Sequence, residues 1–431
     1  MKTKFDGKYN KTILQNGIRV VSEKIPWVSS VCVGAWVDVG SRDENQKESG
    51  LSHLIEHMLF KGTKRRSAKQ IALALESIGG SLNAFTGREN TCYYAKVLDE
   101  NLDSAIDLLS DILKNPLFDP VDFKKEKRVI IEEIKDAEDT PSDLVFDFFT
   151  EALWKNQTLG EPILGTVESV KRIKRTNLLA YFKRNYIPPK IVICASGNLS
   201  HENLVKMVRK KFDKNFRAFS FHRTDPKIEK KPIPYTRKMV TEKEIAQTHI
   251  CIGFPAFDFN HPQKYPALVL SNILGGGMSS RLFQKVREKL GVAYNIYSFF
   301  DFYIDSGIFG VYLGTNQKNT QLAVEAVLRE FSKIKNDRLP KTELKNAKYQ
   351  LKGNLILGAE SISYRMSRLA RHELYSQDYW SLKKSILAIE GVKAKEVKEV
   401  AEKILDSDKV CITILGPVKT GVIKKIDWGL F

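Results

Sequence analysis

The chain has 431 residues, 42% of them hydrophobic and 28% charged, with 10% aromatic residues and 15 prolines. That balance excludes a disordered polymer and a collagen-like rod, and the length calls for two or three domains with substantial cores. Lys and Arg number 69 against 51 Asp and Glu, a net +18, but the basic residues are spread through the chain. Charge alone therefore singles out neither nucleic acid, anionic lipid nor acidic peptides as partner.

The opening residues, 1–8, carry lysines with no apolar run behind them, so no secretory signal is expected. No stretch reaches the ~18 consecutive apolar residues of a membrane span, and no membrane insertion is expected. The five cysteines are Cys32, Cys92, Cys194, Cys251 and Cys411, with no CxxC among them. Four sit in short apolar runs, where a thiol packs as a small hydrophobe. A disulfide framework is not expected; a reducing, cytoplasmic location fits this usage.

In chain order, a β-branched run (18–38) precedes a helix over about 50–60, a second helix and a Gly-bounded strand pair. An amphipathic helix over 102–113 follows, its apolar residues recurring at three and four. The order then returns: strand-like 247–254, helical 266–274, amphipathic 320–334. Ser30-Val31-Cys32-Val33-Gly34-Ala35-Trp36 resembles His249-Ile250-Cys251-Ile252-Gly253-Phe254-Pro255 at an offset of 219. Lys190-Ile191-Val192-Ile193-Cys194-Ala195-Ser196-Gly197 resembles Lys409-Val410-Cys411-Ile412-Thr413-Ile414-Leu415-Gly416 at 217 or 219, depending on the gap. Two repeats account for both matches; chance similarity between short strands is the alternative.

The stretch 210–244, rich in Lys, Arg and Pro, reads as an extended connection. The expected division is 1–218, a basic linker at 219–240, and 241–431. A regular βαβ rhythm and a Gly-rich turn after the first strand are both missing, so the fold is expected to be α+β, with sheets layered by helices.

His53-Leu54-Ile55-Glu56-His57 lies inside the first helix. At about 100° per residue, His53 and His57 stack one turn apart, with Glu56 beside them. Two imidazoles so placed can share a Zn²⁺, and Glu56 can take a proton from water on the metal, whose pKa falls from 15.7 to about 7. This is the inverted form of the commoner zinc-peptidase motif. An exposed helix face with idle histidines is the plain alternative.

A hydrolytic zinc site needs a third protein ligand. The helical stretch 126–135 carries Glu126, Glu132 and Glu133. Glu126 and Glu133 share a stripe with Phe123, Val129, Ile130 and Ile134, whereas Glu132 falls on the charged flank. A carboxylate on an apolar stripe is costly unless it is paired or binds metal. Glu133 is the expected ligand and Glu126 an auxiliary acid, although Glu126 also fits a half-exposed salt-bridge partner.

These residues, with the flanking Gly50-Leu51-Ser52 and Met58-Leu59-Phe60-Lys61-Gly62-Thr63, Asn83-Ala84-Phe85-Thr86, Leu159-Gly160-Glu161-Pro162 and Leu282-Phe283-Gln284-Lys285-Val286-Arg287-Glu288, give the chain its likeness. It resembles the pitrilysin-type zinc peptidases (inverzincins), especially the branch of the mitochondrial processing peptidase β subunit and its bacterial homologues. In that family a glutamate follows the zinc helix by some 75 residues; His57 and Glu133 are 76 apart.

The resemblance implies one Zn²⁺ per chain held by His53, His57 and Glu133, with Glu56 as general base and Glu126 assisting. Asn83, Ala84 and Phe85 then lie on the strand along which substrate adds as a β-strand; a turn and a core aromatic are the plainer reading of Asn83 and Phe85. Arg287 and Tyr294 match an arginine and a tyrosine that hold the scissile peptide, although a local ion pair and simple packing also account for them.

The resemblance also implies two tandem homologous domains of mainly antiparallel sheet and helix, the mitochondrial-processing-peptidase/LuxS-like metallohydrolase fold, closing as a clamshell around the peptide. At the 219 offset, His53, Glu56 and His57 oppose Asn272, Gly275 and Gly276, and near the counterpart of Glu133 stand Gln350 and Leu351. Only the first half is expected to bind metal. The glycine-rich loop of the family's noncatalytic α subunit is missing, which favours a self-sufficient enzyme and a homodimer. The expected activity is a zinc endopeptidase of unfolded peptides or presequences, acting in a chamber between the domains. A noncatalytic scaffold of the same fold is the alternative, and a nucleic-acid binder lacks any motif.

Overall fold

The computed structural model describes residues 7–212 and 231–431; most of the expected linker at 219–240 lies outside them. The first half runs β1 (Lys8–Ile13), β2 (Arg19–Lys24), β3 (Ser30–Val37), α1 (Leu51–Leu59), α2 (Ala68–Glu76), β4 (Ser81–Thr86), β5 (Thr91–Leu98), α3 (Leu102–Lys114), α4 (Pro120–Glu138), α5 (Pro141–Leu153), α6 (Val167–Arg172), α7 (Arg175–Asn185), β6 (Ile191–Gly197) and α8 (His201–Phe212). The second half runs β7 (Lys238–Glu242), β8 (Thr248–Ala256), α9 (Lys264–Gly275), β9 (Asn295–Phe302), β10 (Gly307–Thr315), α10 (Thr320–Asn336), α11 (Lys341–Gly358), α12 (Ile362–Tyr375), α13 (Leu382–Gly391), α14 (Ala394–Ile404), β11 (Cys411–Gly416) and α15 (Val422–Lys425).

Two compact units form, and neither is contiguous in sequence. The first takes its described residues from 7–135, 161–212 and 356–381; the second takes 136–160, 231–355 and 382–431. The expected division at 1–218 and 241–431 follows the repeat, whereas the units exchange one helical segment each. The linker expected to run through 240 also stops short. Lys238–Glu242 is strand β7, parallel to β11, because Met239 packs against the second unit's core and Val240 does likewise from the other face.

The first unit has a six-stranded sheet in the order β1-β2-β6-β3-β5-β4, antiparallel except for the β2–β6 pair. From Val31 onward strand β3 is apolar because both its faces are buried. Val31, Val33, Ala35 and Val37 face a core built with α1, α3 and α7, while Cys32 and Trp36 face α12 through Ile362, Met366, Ala370 and Leu374. Helix α12 is pinned to this sheet by Arg365 on Glu23 (2.8 Å) and by Glu373, which meets Arg19 (3.3 Å) and Lys11 (2.8 Å). Among the described strands, β4 is an edge, paired with β5 alone.

The second unit holds a five-stranded sheet in the order β7-β11-β8-β10-β9. One face buries the core made with α9, α10 and α14. The other is covered by α5, whose Val145, Phe149, Ala152 and Leu153 pack on Cys251, Cys411, Ile308 and Tyr312.

Candidate metal centre

Helix α1 forms where an apolar stripe meets a glycine start. Leu51, Leu54, Ile55, Met58 and Leu59 are buried in the first unit's core. Gly50 precedes them at φ 91°, and a Cβ there would meet the Leu164 carbonyl oxygen at 2.8 Å, so glycine is required. The helix start is capped from a distance: Gly50 N–H donates to Glu44 Oε2 (2.7 Å) and Ser52 N–H to Oε1 (2.5 Å). A carboxylate at this end meets the positive pole of the helix. Burial nonetheless pushes the Glu44 carboxyl up to about 8, against those amide donors.

With the apolar face turned inward, His53, Glu56 and His57 point the other way. Helix α4 sends Glu126 and Glu133, two turns apart, toward them. Glu133 Oε2 lies 3.5 Å from His57 Nε2 and 3.9 Å from His53 Nε2. These three residues are the metal-capable group among the described residues, with ligand atoms all within 4.8 Å of one another. Ligands bound at ~2.0–2.1 Å in a tetrahedral site sit roughly 3.3 Å apart, so two nitrogens and an oxygen at these separations fit Zn²⁺ with small adjustments. The donor set, two imidazoles and one carboxylate, suits zinc and leaves a fourth position open.

The imidazoles are set up differently. His57 Nδ1 lies 3.1 Å from Glu126 Oε2, and Glu126 Oε1 meets Lys61 Nζ at 2.9 Å. Glu126, 5% exposed, thus contacts the histidine rather than the open side of the group. His53 Nδ1 is buried with no hydrogen-bond partner among the described residues. Burial, then the neighbouring His57, lowers the His53 pKa to about 4, which keeps its imidazole neutral and able to ligate at pH 7. Glu56 Oε2 accepts a 2.5 Å hydrogen bond from Thr86 Oγ1, and burial raises its carboxyl pKa. Glu132 points to solvent and pairs with Lys135 at 2.8 Å.

The family profile described as Insulinase (Peptidase family M16) matches residues 19–167, and that described as Peptidase M16 inactive domain matches residues 172–351. The uncharacterized zinc protease YmxG of Bacillus subtilis is 41% identical over 91% of this chain and 95% of its own. The chain belongs to peptidase family M16. An uncharacterized zinc protease of Streptomyces coelicolor is 35% identical over 96% of this chain and 90% of its own. Among solved structures, a protease from Helicobacter pylori matches at a TM-score of 0.89 and 21% identity, over 95% of this chain and 99% of that one. A Pseudomonas fluorescens structure described as a peptidase M16 inactive domain matches at 0.87 and 20%, over 95% and 98%. These two speak for the fold, two tandem M16 domains of mixed helix and sheet. The expected family and fold class therefore stand, and the Bacillus subtilis and Streptomyces coelicolor relatives are zinc proteases by name.

Where the offset places Asn272, Gly275 and Gly276 opposite the zinc motif, Gln350 Nε2 donates to the Gly276 carbonyl at 3.0 Å. None of Asn272, Gly275 and Gly276 carries an imidazole or a carboxylate, in keeping with a profile described as inactive.

On β4, Leu82, Ala84 and Thr86 turn inward, and Asn83 and Phe85 turn outward. Phe85 packs edge-on against Trp36 at 5.3 Å. Arg287 sits in a π-helical turn, Phe283–Lys289, its guanidinium 4.7 Å from the Phe283 ring centre and 3.9 Å from Glu288. Tyr294 follows Gly291 (φ 65°), donates its backbone N–H to the Gly314 carbonyl and is 58% exposed. Glu44, Lys61 and Thr86 were given no role by the sequence. Lys61 and Thr86 lie inside quoted motifs, but nothing in spacing says that one meets Glu126 and the other Glu56.

Proposed function

We propose that this chain is a zinc endopeptidase of unfolded peptides, working in the cytoplasm as a homodimer, with His53, His57 and Glu133 holding the metal. The reading rests on one observation above others: two imidazole nitrogens and a carboxylate oxygen from separate helices converge, with a second carboxylate, Glu56, beside them. Zinc bound there supplies Lewis acidity that makes water acidic enough to lose a proton near neutral pH.

The protein does the rest. Glu56 accepts the proton of the attacking water and returns it to the leaving amine. Glu126 holds His57 with Nε2 turned to the ligand group, and Lys61 holds Glu126. The open edge of β4 offers backbone N–H and C=O groups to an extended peptide, with Asn83, Ala84 and Phe85 setting the side-chain contacts; such pairing tolerates many sequences. Arg287 and Tyr294 are proposed as donors to the peptide carbonyls, a role in which losing one donor costs about 10²–10³ in kcat.

The test pairs metal analysis with a single substitution. Purified protein should hold one zinc per chain and cleave unfolded peptides, and a chelator should abolish cleavage. Glu56→Gln should keep the zinc and lose activity by about 10²–10⁴-fold. A fully active Glu56→Gln protein removes the base assignment, and a zinc-free but active protein removes the reading.

A further inference from the structure

We infer that Thr86 is a positioning residue for Glu56, and that through it the edge strand β4 sets the aim of the base. The inference deepens the peptidase reading and rests on it for its kinetic consequence.

A glutamate on a helix has three rotatable bonds, and a base that wanders spends little time near the water it must deprotonate. The Glu56 side chain is partly buried, which limits its space without fixing which carboxylate oxygen faces the water. Its Oε2 instead accepts from Thr86 Oγ1 at 2.5 Å, within the range of a hydroxyl donating to an ionised carboxylate. With Oε2 engaged, Oε1 is the oxygen left for the water.

Thr86 is itself well placed to fix that orientation. It is the last residue of β4, facing inward with Leu82 and Ala84 and paired with Thr91. The turn beyond it is tied back to the segment ahead of α1: Gly87 N–H donates to the Asn90 carbonyl, while Ser41 and Arg42 N–H groups donate to the carbonyls of Gly87 and Arg88. That segment continues to Glu44, which caps α1. Hydroxyl and carboxylate therefore belong to one hydrogen-bonded loop closed through the helix start. Because β4 is an edge strand, a peptide pairing with it acts on the same backbone that carries the Thr86 hydroxyl.

Thr86→Val removes the hydroxyl and keeps the β-branched shape; Thr86→Ser keeps the hydroxyl and removes the methyl. Crystal structures of the full-length variants should show Glu56 leaving its orientation or splitting between rotamers in Thr86→Val and staying in place in Thr86→Ser. Peptide cleavage by Thr86→Val should fall about 10–100-fold in kcat, with KM within about 3-fold of the parent and one zinc per chain, while Thr86→Ser should stay within about 3-fold in both. Thr86→Ala replaces the valine variant should that one fail to fold. A Glu56 that keeps its single orientation in Thr86→Val overturns the inference, and so does a raised KM at constant kcat, which makes the hydroxyl a substrate contact. Should the zinc-loaded parent cleave no peptide, the peptidase reading falls, and the Glu56 rotamers still decide the role of Thr86.

Discussion

Glu126 Oε2 lies 3.1 Å from His57 Nδ1, on the far side of the ring from the Nε2 that faces Glu133. A carboxylate there favours the tautomer with the proton on Nδ1 and frees Nε2 as a ligand. His53 has no such partner among the described residues. Glu126→Gln should therefore weaken zinc binding by about 10–100-fold through His57 alone, with Glu126→Leu worse because Lys61 also loses its partner. Competition against a chromophoric chelator reads this directly. An unchanged affinity in Glu126→Leu contradicts the orienting role.

Glu44 makes a pH-dependent contribution beneath the metal centre. Its carboxyl is raised from 4.5 to about 8 by burial, so the native state holds this proton more tightly than the unfolded chain does. Stability from this group is present in full below pH 4.5 and is lost as pH rises toward 8. The slope is at most about 1.4 kcal/mol per pH unit for a single proton. Urea denaturation from pH 5 to 8 should show the parent losing stability relative to Glu44→Gln, which cannot titrate. Parallel pH profiles for the two proteins rule the contribution out.

Helix α12 tests a buried charge. Arg365 meets Glu23 at 2.8 Å, both side chains being almost wholly buried, and its Nε also donates to the Ala359 carbonyl. Removing one partner strands the other in a low-dielectric interior, a loss of about 3–5 kcal/mol, whereas replacing both with apolar groups is often close to neutral. Arg365→Met should thus be strongly destabilising in chemical denaturation, and Arg365→Met with Glu23→Leu should recover most of the loss. Equal destabilisation by the single and double variants goes against this account.

The group His53, His57 and Glu133 that the structure brings together was readable in the sequence from helix periodicity. His53, Glu56 and His57 share one helix face by periodicity, and Glu133 parted from Glu132 by which stripe it occupied. The repeat was equally legible, since β3 and β8 have similar residues in similar order. The helix exchange was not. The amphipathic patterns of α5 and α12 say that each buries a face, but nothing in 3.6-residue periodicity names the sheet that receives it. Likewise Thr86 and Glu44 act through contacts 30 and 8 residues away in sequence, which no local pattern encodes. The cysteines held a clue in retrospect: all five lie on the sheet faces that α12 and α5 cover, so the matches that betrayed the repeat also marked the exchanged surfaces.

Two repeat-equivalent glycines locate the exchange. A Cβ on Gly34 of β3 would stand 2.9 Å from Met366 Sδ of α12, and a Cβ on Gly253 of β8 would stand 2.6 Å from Phe149 Cζ of α5. Each glycine lets a helix from the opposite half of the sequence sit closely on the strand. The two sites differ in what can yield. Met366, though as buried as Phe149 and accepting from Trp36 Nε1 at 3.0 Å, is a flexible thioether, whereas at Gly253 the obstacles are an aromatic ring and the backbone carbonyl oxygen of Phe309, also 2.6 Å away. Gly253→Ala should accordingly cost more than Gly34→Ala, roughly 2–3 against about 1 kcal/mol by overpacking. The companion substitution Met366→Ala, which opens space above Gly34, should offset Gly34→Ala in a double-mutant cycle and leave Gly253→Ala unaffected. Denaturation midpoints of the three single and two double variants measure both terms, and an equal cost at the two glycines would mean that the helices do not approach their strands as closely as these contacts require.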